Sequence, residues 1–409
     1  MMNFIRDNIV KIGIGLIVLI VLVIVISSCS KMGGGKNTDA SAGYLEMENK
    51  LQGAAIKYGE NNKRVLPIKL EQVKKIQLST LIANSYIGEL TAVENSNVQC
   101  KGYVEITKRD TDNDSYRYTP FIKCGKYYQT KTIAQHIIEN EEIVTSGEGL
   151  YQVVVENKEV PKTEEATNES SEGTVSEEGN MYYFKGEYPN NHIKIGDKLY
   201  RILEISPENN LKLLSVNKTL FSYKWDDRFN VEDDDYSGIN IFSKSRLKED
   251  LRLLYSNKNE DENEVFFTDE ERNMIVGHDF CVGKKSFNDK TINDNAECSV
   301  KEKLKVGLIT ISDYYRTSID KDCTANDKLA CNNYNYLFTL TDGDYFTLTA
   351  NADNTSEILT ISYGEIVSDK AEESNTLYPV IYVDKNILYK SGSGTQEDPY
   401  IVRWSYVLY

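Results

Sequence analysis

Six of the seven cysteines fall into three pairs of near neighbours along the chain: Cys100 with Cys124, Cys281 with Cys298 and Cys323 with Cys331. Six cysteines admit many connectivities, so spacing alone is not decisive. The first pair, however, carries its own register. The segment CKGYVEITKRDTDNDSYRYTPFIKC reads as two strands around an Asp/Asn-rich turn centred on Asp112. Pairing residues symmetrically about Asp112 sets Cys100 opposite Cys124, Gly102 opposite Ile122, Val104 opposite Pro120 and Ile106 opposite Tyr118. Side chains alternate along a strand, so these residues share one face. That face is almost wholly apolar and ends in two adjacent sulfurs, as a cross-strand disulfide requires. Pro120 has no N–H for a ladder, which marks the second strand as an edge. A zinc site would need Cys-x2-Cys knuckles, and the sequence has none. Closing a loop of about 15 residues stabilises a domain by roughly 3 kcal/mol in the chain-entropy model. Disulfides persist in oxidising compartments, so three of them point to an exported chain.

The N-terminus points the same way. Residues 12–26 are Ile, Val, Leu and Gly without a charge, and from Ile9 to Cys29 the stretch approaches the roughly 20 residues that cross a bilayer. Arg6 and Lys11 precede it, which favours a cytoplasmic N-terminus and an extracellular remainder. Two readings stay open for residues 1–32. They form a retained transmembrane helix, or they are a signal ending in the lipobox-like Ile26-Ser27-Ser28-Cys29, with Cys29 carrying the lipid. Either way the membrane is the first partner, and the chain is single-pass or lipid-anchored on the outer face.

A chain of 409 residues suits two domains. Its formal charge of −16 argues against nucleic acid as a partner, because phosphate binding needs positive surface. Residues 33–43 read as a flexible Gly/Ser/Ala spacer. Beyond it, Tyr44, Met47, Leu51, Ala54, Ala55 and Tyr58 form a stripe at helical spacing. A short helix follows, with Ser79 as its cap and Leu81, Ile82 and Ile87 facing inward. Residues 44–155 thus make a first domain. Residues 156–180 hold eight glutamates amid Ser, Thr, Gly and Asn, bury no face, and read as an acidic disordered linker. Residues 181–409 make a second domain of many short strands. It includes a helix lined by Leu247, Leu251 and Leu254, and a capping box from Thr268 to Glu271. Together these give an α+β class.

The helix, the short STLIANSYIG helix and CKGYVEI…PFIKCGKYY resemble the pilin-like ectodomains of surface proteins in low-GC Gram-positive bacteria, over about residues 44–130. A prepilin processing site of the Gly-Phe-Thr-Leu-x-Glu type is absent before the apolar run. YKWDDRFN, VGLITISDYY, CNNYNYLF and the closing SGSGTQEDPYIV resemble the C-type-lectin-like fold of the sulfatase-modifying group, over about residues 181–402. Tyr336 stands where that family has tryptophan, and Tyr378 where an arginine is common. The resemblance implies that the terminal strands PYIVRW and MYYFKG lie together. It also implies a distal domain that recognises a cell-wall glycan or a surface protein.

Chemistry has few candidates. His278 and Cys281, in GHDFC, have the residue types of a thiol nucleophile and its base, but Cys298 is available to pair with Cys281. Asp110, Asp112 and Asp114 place carboxylates at alternate positions, a weak calcium pattern without the Gly and Glu of an EF-hand loop. EDDDY, Glu232 to Tyr236, is similar. No nucleotide-binding or hydrolase motif is present, and three histidines give little basis for a metal centre. The 28 tyrosines suit strands, and they also suit a contact surface. The expectation is therefore an anchored extracellular protein without cofactor or enzymatic activity that binds a glycan or protein. The alternatives are a minor subunit that assembles with other pilin-like proteins, and an extracellular enzyme of the sulfatase-modifying fold.

Overall fold

The cysteine-closed hairpin forms in the expected register. Strand Lys101–Lys108 runs antiparallel to Tyr116–Cys124, with Gly102 opposite Ile122, Val104 opposite Pro120 and Ile106 opposite Tyr118. Cys100 is bonded to Cys124. The structure is a computed structural model that describes residues 37–70, 72–109, 115–155, 179–257, 265–323, 328–341, 343–403 and 407–408. The chain divides into two compact units, Met1–Thr130 with Tyr406–Tyr409, and Lys131–Ser405.

In the first unit, Val73–Gln77 extends the hairpin sheet on one side and Val407–Leu408 on the other. Pro120 sits in a gap along the outer side of its strand, between the stretches paired by Val407–Leu408 and by Tyr128–Gln129. The missing N–H therefore costs no ladder bond. Helix Asn37–Asn61 packs its predicted stripe inward, with Tyr44, Leu51, Ala54 and Ala55 buried. Two polar groups share that face. Glu48 accepts from the hydroxyls of Tyr128 (2.9 Å) and Thr130, and Gln52 donates to the Tyr118 carbonyl at 2.6 Å. The helix begins at Asn37, inside the expected spacer of residues 33–43. At Gly43 a Cβ would lie 2.8 Å from a Val93 methyl, so the small residue lets the helix lie against that side chain. Ser79 does not cap Leu78–Ala83. The preceding strand runs straight into the helix, which puts Gln77 at the cap.

The expected boundary at residue 155 moves to 130. Gly149–Val155 pairs along its whole length with Gly179–Lys185, and Leu150 and Phe184 are buried in the core of the second unit. The acidic stretch is therefore not a tether between domains. Gly179 and Asn180 already belong to the second strand, and residues 156–178, which lie outside the described residues, join two adjacent antiparallel strands. Long polar insertions are tolerated there because closure entropy grows only slowly with length.

The main sheet orders its strands Ile275–Val276, Val380–Val383, Leu211–Ser215, Lys198–Ile205, His192–Ile195, Tyr400–Arg403 and Leu388–Ser391. Leu211–Ser215 and Val380–Val383 are buried at every residue, as central strands covered on both faces are. Helix Arg246–Ser256 buries Leu247, Leu251 and Leu254 in the same core, and the Thr268–Glu271 capping box is present. Tyr400–Arg403 pairs in parallel with His192–Ile195 and shares its sheet with Gly179–Lys185, without pairing with that strand. The Ser391–Gly394 turn directs it. The N–H groups of Ser393 and Gly394 donate to Asp398, while Gly394 accepts from the N–H of His192. The architecture is α+β. No helix among the described residues is long and apolar enough to cross a membrane; residues 1–32, with Cys29, lie outside them.

Candidate functional site

Three disulfides are closed: Cys100–Cys124, Cys281–Cys298 and Cys323–Cys331. Cys281 therefore has no thiol for nucleophilic attack. His278 stacks on Tyr382 with ring centroids 3.8 Å apart, and burial holds its imidazole below the ordinary range. Asp110, Asp112 and Asp114 lie outside the described residues. Among the described residues no group of three His, Cys, Asp or Glu is placed to hold a metal.

Charge converges in the second unit on a cleft lined by Tyr183, Glu204, Asp313 and Arg316. Lys212 donates to both oxygens of Asp313 at 2.8 Å. Arg316 pairs with Asp294 and lies 3.7 Å from Asp313. Burial pushes the Glu204 carboxyl up, so that the neighbouring cations hold it only in part. The free volume is about 10 Å³, room for about one water. Lys212, Asp313, Arg316 and Asp294 are occupied with one another.

A different surface presents itself to solvent. Trp225 is wholly buried, and Asp226 follows it into the core. The Asp226 carboxylate accepts the N–H of Ile239 at 3.0 Å, that of Arg246 at 3.2 Å and Nε of Arg228 at 2.8 Å. One buried acid thus ties both ends of the loop 226–239, a short compact excursion with adjoining ends. Asn240 completes the anchor. Its amide nitrogen reaches the carbonyls of Asn351, Asn354 and Glu357, and its oxygen accepts from Lys284 at 2.8 Å. Gly238 makes the closure possible. Its φ is +79°, and a Cβ there would fall 2.2 Å from the Asp226 carbonyl oxygen. Gly238→Ala is expected to cost at least about 1 kcal/mol, read as a lower urea midpoint; an unchanged midpoint would show that the neck is not held this way.

At the tip, the N–H of Asn230 donates to the Asp235 carbonyl at 2.7 Å, and the rings of Phe229 and Tyr236 meet edge to face at 5.4 Å. Tyr236 is 70% exposed and Val231 82%. Leu220, Phe221, Phe229, Val231, Tyr236 and Ile241 are six of the twenty exposed large apolar side chains among the described residues, and all six fall between positions 220 and 241. Glu232 to Asp235 separate the aromatic pair, with no Lys or Arg among them. The EDDDY carboxylates shape this turn. Asp233 accepts from the Ser237 hydroxyl and Asn230, and Asp235 accepts from the Ser237 N–H; hydrogen bonding to Ser237 holds the Asp235 carboxyl below the ordinary range. The arrangement is an acidic loop with exposed aromatic side chains on a neck fixed by Asp226 and Asn240.

No family model, curated protein or solved structure matches the chain. Of the residues that build the loop, sequence reasoning singled out the YKWDDRFN aromatics and EDDDY, but not the two anchors. Asn240 gave no local signal, since its carbonyl partners lie more than a hundred positions away; those of Asp226 are nearer, 2 to 20 positions along the chain, but no residue pattern marks them. Tyr336 and Tyr378 are accounted for by packing. Tyr336 is fully buried, and Tyr378 lies against Tyr345.

Proposed function

We propose that this chain is a membrane-anchored extracellular protein that binds a partner, a cell-wall glycan or a surface protein, through the loop 226–240 of its second unit. The observation that carries the reading is the exposure of Phe229, Val231 and Tyr236 on a neck locked by two buried polar side chains. A preformed loop loses little conformational entropy on binding, and tyrosine offers large contact area at low entropic cost. Three closed disulfides support an oxidising compartment, and the lectin-like resemblance of residues 181–402 supports recognition rather than catalysis.

The full-length chain is expected to bind saturably to a member of a cell-wall glycan or surface-protein array. Phe229→Ala/Tyr236→Ala is expected to weaken that binding at least about tenfold, the loss of one or two hot-spot contacts, with an unchanged Tm. Equal binding by the variant would remove the loop from the reading; absence of saturable binding by the parent chain would remove the function.

A second reading has its own support. In the first unit a helix of 25 residues lies across an antiparallel sheet shortly after the apolar run, the arrangement that the pilin-like resemblance implies. A subunit role predicts cross-links through residues 12–26 to other pilin-like proteins, and their absence in native membranes would count against assembly.

A further inference from the structure

Arg201 is a buried cation without an anion. It lies on strand Lys198–Ile205, directly opposite His192 on His192–Ile195, so the two side chains share one face of the sheet. Arg201 is only 6% exposed and His192 9%. The Arg201 Nε donates to Asn191 Oδ1 at 2.6 Å, and the guanidinium lies over the Tyr336 ring at 4.6 Å. Its Nη2 is shut away from solvent with no protein partner, and so is Nδ1 of His192. The acid whose field reaches Arg201 is Glu148, but one oxygen of that carboxylate already accepts the N–H groups of Glu187 (2.6 Å) and Tyr188 (2.7 Å). No ion pair between Glu148 and Arg201 forms.

We propose that Arg201 Nη2 and His192 Nδ1 form a site for a small monovalent anion of chloride size. Buried charges are ordinarily paired, because an isolated ion in a poorly polarisable interior is very costly. Stacking on Tyr336 offsets part of that cost but supplies no counter-charge. A water would satisfy a donor while leaving the charge unbalanced; an anion does both. His192 suits the role. Burial, with the neighbouring Arg201 charge, brings its pKa down to about 4, so the ring is neutral at physiological pH. The neutral ring carries one proton, for which the Gly394 carbonyl competes; with that proton on Nδ1, His192 becomes a second donor beside the guanidinium. The set of donors and positive charge excludes a metal cation. The closure of both atoms from solvent excludes an organic carboxylate or phosphate ester.

The test uses the full-length chain crystallised with bromide in place of chloride. An anomalous peak within hydrogen-bond reach of Nη2 is expected, and an ordered water there without anomalous signal overturns the site. In solution, replacing chloride by gluconate at equal ionic strength is expected to lower Tm by about 2–4 °C. Arg201→Met is expected to abolish that dependence. Identical Tm values for the parent chain in both salts would overturn the proposal. If Arg201→Met does not fold, the bromide map of the unaltered chain decides alone.

Discussion

Asp313→Ala is expected to destabilise the chain by about 3–5 kcal/mol, the usual consequence of removing one member of a buried ion pair. Three losses coincide. Lys212 gives up both of its 2.8 Å bonds, and Arg316 loses one of its two acids. Helix Ile311–Arg316 loses its capping box, in which Asp313 accepts from the Thr310 N–H at 2.9 Å and donates its own N–H to the Thr310 hydroxyl. What remains is a buried lysine cation whose facing acid on the adjacent strand, Glu204, has a carboxyl pushed up by burial. Urea unfolding measures the cost, and a loss below about 1 kcal/mol would mean that water already neutralises this cluster. Lys212→Met with Asp313→Leu is expected to recover much of the loss, since apolar volume replaces the pair without stranding a charge.

The same cluster gives a pH dependence of definite sign. Burial alone would raise the Asp313 carboxyl, but Lys212, Arg316 and its hydrogen bonds outweigh it and hold it below the ordinary range. A carboxyl depressed in the folded state contributes stability that is complete above its unfolded pKa, near 3.9. That contribution is lost as the pH falls through the lower folded value.

Cys281→Ser and Cys298→Ser are each expected to cost about 2–5 kcal/mol, and to cost the same as the double variant. The bond joins the end of strand His278–Cys281 to the residue that follows helix Asp294–Glu297, so either substitution opens the same loop. Equality is the informative outcome. A structural bridge loses everything when either sulfur goes, whereas a thiol nucleophile is sensitive at one position only. Guanidinium unfolding without reductant, together with a count of titratable thiols, measures both. An activity lost in Cys281→Ser and kept in Cys298→Ser would restore the enzymatic alternative.

What was legible in the sequence was local. The register of the Cys100–Cys124 hairpin followed from two-residue alternation about Asp112, because a slip by one position would turn Val104, Ile106 and Tyr118 out of the core. The stripe of helix Asn37–Asn61 and the capping box at Thr268 follow in the same way from contacts within a turn or two of chain. The acidic run was harder. Its composition implies a solvated segment, but solvation says nothing about what its two ends attach to.

Tertiary structure decided the attachments. Gly149–Val155 joins the second unit because Leu150 and Phe184 fill one core, a demand that neither strand expresses alone. The loop 226–240 is held by Asp226 and Asn240, most of whose partners are backbone groups, and the backbone carries no mark in the sequence. Arg201 looks like any basic residue on an alternating strand until Tyr336 closes over it. Patterns of period 2 and 3.6 are written by neighbours and can be read from neighbours. Which carboxylate meets which cation, and which loop closes on which buried acid, depends on residues brought together only when the chain has folded.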